Sequence, residues 1–129
     1  MKAKLCYDKC LEYRKYLSAK IKIIYSHAES INQKVLIWGC NQNFVRLLTA
    51  IDASNPNYDV VDSANQKQVL KYFKNVILDP SEIVLDRYAA VFICATSAYV
   101  QIKNLILNNS SLSEECLHRV DFSNFEISS

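Results

Sequence analysis

Apolar residues in the first thirty positions recur at a single rhythm. Cys6, Cys10, Tyr13, Leu17, Ile21, Ile24, Ala28 and Ile31 step by 4, 3, 4, 4, 3, 4 and 3, the spacing that puts side chains on one face of an α-helix. Lysines fill the positions between them, and Tyr7, Tyr16, Ile23 and Tyr25 widen the stripe. From Lys34 the rhythm changes to short solid apolar runs separated by helical stretches. Val35 to Trp38 is such a run and stops at Gly39, as a strand buried on both faces does. Phe44, Leu47, Leu48 and Ile51 then return to helical spacing. Residues 58–61 predict a second strand that ends on Asp62 and Ser63. A short helix over 66–73 and a third strand over 75–78 follow. Asp79 is a helix cap, Pro80 suits the first helical position and Glu82 completes a capping box. Residues 89–95 predict the fourth and most buried strand. Thr96 or Ser97 caps the helix that holds Val100, Leu105 and Ile106. After a polar loop over 108–113, residues 118–122 predict a fifth strand.

Strand and helix alternating five times predict a parallel α/β sheet with helices on both faces. Right-handed crossovers point to the strand order 3-2-1-4-5. The expected organisation is an N-terminal amphipathic helix over 1–32, then a Rossmann-like domain over 33–129. At ~1.5 Å per residue the helix is nearly 40 Å long, whereas a domain of this size has a radius of gyration near 13 Å. Two expectations stay open: the helix overhangs and pairs with a second copy or a partner chain, or it kinks around Ser26 and His27 and packs on its own domain.

Composition supports a folded chain. Half of the 129 residues are apolar and 22% are charged, which excludes disordered, collagen-like and disulfide-dependent classes. No run is long and apolar enough to span a bilayer as a helix, and no hydrophobic stretch opens the chain as a signal peptide would, so a cytoplasmic protein is expected. The five cysteines include Cys40 and Cys94 inside apolar runs, where a thiol serves as a small hydrophobe. Cys6 and Cys10 lack a second pair at zinc-ligand spacing. Residues 1–34 carry a net charge of +5 and the rest −3. A solvated helix face explains this asymmetry. A nucleic-acid or membrane-surface role would show strong salt dependence, and neither is the favoured partner.

Candidate chemistry gathers where the strand order reverses, beyond the carboxyl ends of the strands. The expected crevice is lined by Gly39, Cys40, Asn41, Asn43, Asp62, Thr96 and Ser97. Gly39 is the only glycine, in a composition where about nine would be average. A dinucleotide turn reads G-x-G-x-x-G, but here Asn41 and Phe44 stand at the second and third glycine positions. Asn41 tolerates unusual backbone angles, yet its side chain fills space that a pyrophosphate needs. Phe44 opposes close helix–strand contact. Asp62 stands 23 residues after Gly39, where an acid that binds ribose would be. The cofactor itself is not specified by these residues. Cys40 sits near a helix N-terminus, whose dipole lowers a thiol pKa; its alternative role is a half-buried side chain in a tight turn. Tyr99 either closes over the crevice or packs on the sheet. His27 and His118 have no neighbouring nucleophile, and no catalytic residue is assigned.

Four segments carry a resemblance: Val35-Leu-Ile-Trp-Gly39, Val60-Val-Asp62, Ile77-Leu-Asp-Pro-Ser-Glu82 and Val91-Phe-Ile-Cys-Ala-Thr96. Over residues 33–122 the chain resembles the small Rossmann-like domains attached to nucleotide-sugar methyltransferases and acyltransferases. The resemblance implies a setting in carbohydrate biosynthesis, with Gly39, Asn41, Asp62 and Thr96 near any nucleotide or nucleotide sugar. It implies no reaction by this chain alone. The expected function is a non-catalytic module with a degenerate nucleotide-binding turn, acting in assembly. The alternative is a small enzyme subunit that binds a nucleotide or nucleotide sugar and acts with a partner chain.

Overall fold

The computed structural model describes residues 2–51, 57–62 and 77–122. Ser63, the helix expected over 66–73 and the start of the third strand lie outside them. Helix α1 (Lys2–Ser30) leads into strand β1 (Lys34–Trp38), helix α2 (Gln42–Ala50) and strand β2 (Tyr58–Val61). Strands β3 (Ile77–Leu78) and β4 (Tyr88–Ile93), helix α3 (Tyr99–Asn109) and strand β5 (Leu117–Arg119) complete the order. The five strands form one sheet in the order β3-β2-β1-β4-β5, parallel at every pairing. This is the α/β topology that the alternation predicts.

Successive residues of a strand face opposite sides of the sheet, and the central strands supply a core on each. Val35, Ile37, Val60, Ala90 and Phe92 pack with α1 and α2. Leu36, Trp38, Val61, Val91 and Ile93 pack with Ile102 and Ile106 of α3. Helices therefore cover both faces, and the solid apolar runs of β1 and β4 are explained by burial on both sides.

Helix α1 runs unbroken through Ser26 and His27, so of the two alternatives the one with a break at these residues does not occur. Leu17, Ile21, Tyr25 and Ala28 are buried, and Tyr13 and Ile24 pack partly against the same core. The Tyr25 hydroxyl accepts a bond from the Asn57 amide at 2.6 Å. Two members of the expected apolar set behave differently: Tyr16 and Ile23 are 66% and 71% exposed. Ile31 falls past the helix end, just before Asn32 turns the chain at φ 56°, and is exposed. Toward the N-terminus Lys9, Leu11 and Glu12 are exposed, and Leu17 is the first buried position among the described side chains. Those of Cys6, Tyr7 and Cys10 lie outside the description.

The connection from β3 to β4 departs from expectation. Asp79 does cap, accepting from the Ser81 amide at 3.0 Å and its hydroxyl at 2.8 Å. The turn it starts, however, is a 3-10 turn over Pro80–Glu82 that ends at extended Ile83. A second 3-10 turn over Leu85–Arg87 follows. Length is the reason. Between parallel strands the chain must return along a sheet that β4, six residues long, makes about 20 Å high. The nine residues from Asp79 to Arg87 would cover only about 14 Å as a helix. Extended Ile83 and Val84 make up the distance.

Candidate functional site

Gly39 lies at the end of β1 with φ +109°, a region closed to most L-residues. A Cβ there would meet the Ala95 backbone nitrogen at 2.7 Å and the Ala95 Cβ at 2.9 Å. The glycine is thus required by the close approach of β1 and β4 at their carboxyl ends. The amides of Cys94 and Ala95 donate to the Trp38 carbonyl at 2.8 and 3.3 Å and hold that approach.

The turn after Gly39 is filled by the protein's own polar groups. The Gly39 amide donates to the Val61 carbonyl at 2.9 Å. The Cys40 amide donates to Oδ2 of Asp62 at 2.8 Å. Asn41 caps α2: its Oδ1 accepts from the amides of Asn43 and Phe44 at 3.0 and 3.2 Å. Its Nδ2 donates to the Cys94 carbonyl at 2.8 Å. Buried Asn43 donates from Nδ2 to that same carbonyl at 3.4 Å and accepts from the Phe122 amide through Oδ1 at 2.9 Å. One asparagine thereby ties the start of α2 to the end of β4 and to the segment after β5. Among the described residues, every buried side-chain nitrogen and oxygen has a partner.

An anion at a helix N-terminus is held by backbone N–H groups that nothing else has claimed. Here the amides of Gly39, Cys40, Asn43 and Phe44 already have acceptors from within the chain. Asp62, at the position where an acid that binds ribose is expected, is half-buried and accepts the Cys40 amide with Oδ2. Phe44 is fully buried in the core between helix and sheet, a place that close-packing glycines leave without a side chain.

No family model, no curated protein and no solved structure matches the chain.

The Cys40 thiol does not fit the expectation of a thiol activated by the helix dipole. Burial, reinforced by the adjacent Asp62 carboxylate, pushes it up to about 12. Burial likewise raises Cys94. Both remain protonated at neutral pH and act as small core side chains. His118 is half-buried, its ring 5.8 Å from that of Phe92. Burial, with the charge of Lys20 adding to it, holds it down to about 4. His27 is exposed in the last turn of α1.

Thr96 and Ser97 reach the same end of the sheet but form a 3-10 turn over Thr96–Ala98. Helix α3 starts after Ala98 with no side-chain cap, so neither residue caps it as expected. Tyr99 packs against the second core, with the Lys103 ammonium and the Arg119 guanidinium 5.9 and 5.7 Å from its ring centre. The fold thus brings all the expected site residues together: Gly39, Cys40, Asn41, Asn43 and Asp62 around the β1–α2 turn, and Thr96 and Ser97 after β4. Sequence reasoning missed the Cys94 carbonyl, which accepts from both asparagines, and the Phe122 amide. Neither leaves a signal in the sequence, because backbone groups have no residue type. Among the described residues, no group of three or more His, Cys, Asp or Glu is placed to hold a metal, and no helix is long and apolar enough to cross a membrane.

Proposed function

We propose that this chain is a non-catalytic Rossmann-like module whose nucleotide turn has become part of its own scaffold, and that it works by assembly. The observation that carries this reading is the bond from the Cys40 amide to Asp62 at 2.8 Å, with Asn41 capping the adjacent helix. Together they engage amides of the turn that a phosphate would use and one of the two carboxylate oxygens that a ribose would use. The carbohydrate-biosynthesis setting is carried by the resemblance of the four segments to nucleotide-sugar enzymes.

Trp38, 5% exposed and next to Gly39, reports on the turn directly. Its fluorescence during thermal unfolding is compared with and without NAD, S-adenosylmethionine, ADP and UDP- and GDP-sugars. A ligand at 100 times its Kd would add about 2.7 kcal/mol, a rise of roughly 10 °C for a domain of this size. The expected result is no shift with any of them. A clear rise with one would overturn the reading in favour of a small enzyme subunit that binds that nucleotide.

A further inference from the structure

Among the described residues, seven large apolar side chains are exposed: Leu11, Tyr16, Ile23, Ile31, Val84, Val100 and Leu105. Most belong to two patches. Tyr16 and Ile23 stand on the side of α1 turned away from the core, with Leu11 about a third of a turn round the helix from them and Ile31 just past its end. Val84 and Leu105 line a groove of about 470 Å3 whose walls include Trp38, Ile83 and Leu85. The short β3–β4 connection creates that groove. Where a crossover helix would cover the sheet, two 3-10 turns cover it thinly.

The two patches carry opposite charge. On α1, exposed Lys9, Lys15, Lys20 and Lys22 surround the apolar positions, against Glu12 and Glu29. At the groove, Asp86 lines the wall, and exposed Asp79 and Glu82 lie on the same connection, against Arg87. Bonds from Ser81 and Ser111 hold Asp79 and Asp86 below the usual carboxylate range, so both stay ionised at neutral pH. Pairing two copies of α1 through the outward face would set lysines against lysines within a Debye length of about 10 Å. Placing α1 against the groove matches both sign and apolar character. A helix cannot reach the groove of its own chain, because α1 packs on one face of the sheet and the groove opens on the other, at Trp38.

We infer that the outward face of α1 docks into the groove beside Trp38 of a second copy of this chain. The inference rests on the reading of the protein as an assembly module and names the surfaces. The contact is heterologous, joining a cationic helix to an acidic groove, so two copies can exchange helices reciprocally or continue head to tail.

Sedimentation velocity from about 1 to about 100 µM, spanning moderate to weak specific affinity, tests it at low and high salt. The wild-type chain is expected to self-associate, less so at high salt, with a change in Trp38 emission as the groove fills. Ile23→Asp and Val84→Lys alter exposed positions, and their unfolding temperatures serve as folding controls. Each variant alone is expected to be monomeric. Mixed in equal amounts they are expected to form a complex, because the first keeps an intact groove and the second an intact helix. A wild-type chain that stays monomeric overturns the proposal, and so does association that survives Ile23→Asp or a mixture that forms no complex. A monomer that cosediments with phosphatidylserine vesicles would assign the α1 face to a lipid surface and likewise overturn it. A nucleotide-induced rise in unfolding temperature leaves these outcomes untouched, so the two readings fail separately.

Discussion

Gly39 is the residue on which the fold turns. Its φ of +109° and the 2.7 Å from an added Cβ to the Ala95 nitrogen leave no room for a side chain, since the obstacle is backbone. Gly39→Ala is expected to cost at least about 2 kcal/mol, from strain at positive φ and from separation of β1 and β4. A fall in the denaturant midpoint with unchanged slope would show it. His118 has a different signature. Its folded pKa is about 4, below the ordinary value near 6.5, so between these limits the unfolded chain binds the extra proton. Stability therefore rises with pH across that window and is lost as pH falls from about 6.5 to 4. Because the ring is only half-buried, about 1–2 kcal/mol is expected rather than the full shift. Unfolding midpoints at pH 4.5 and 7 should converge in His118→Gln.

At the scale of elements, α2 depends on Asn41. Asn41→Ala removes the cap on the Asn43 and Phe44 amides and the bond to the Cys94 carbonyl. Loss of a cap costs about 1 kcal/mol, and the second bond adds about as much again. Urea denaturation of the variant measures the sum, and a loss under 0.5 kcal/mol, the low end for a cap, would contradict the assigned role. The stretch after β3 teaches a different lesson. Asp79, Pro80 and Glu82 carry a helix-start signature, and Asp79 does cap. Yet the helix stops after one 3-10 turn, because the distance back to β4 exceeds what nine helical residues cover. Local signals started the element, and the span between strands ended it.

At the scale of the molecule, most of the large exposed apolar side chains among the described residues fall on two surfaces: the outward side of α1 and the groove left by the short crossover. Their complementarity makes self-association the property to measure, and the nucleotide panel the control on the crevice. Much of the fold was legible in the residues. Steps of three and four announced α1, solid apolar runs announced β1 and β4, and the lone glycine marked the turn between the first strand and its helix. These are local patterns, set by which side chains must leave water. That Gly39, Asp62 and Thr96 meet at one end of the sheet was legible too, since strand order alone brings them there. Its chemistry was not. Which amide the Asp62 carboxylate accepts, whether the Cys40 thiol is activated or buried, and which carbonyl the two asparagines share depend on groups more than twenty residues apart in the chain. Residue types state what a group can donate or accept. Only the packed tertiary structure decides which neighbour takes it, and here the neighbours lie within the protein itself.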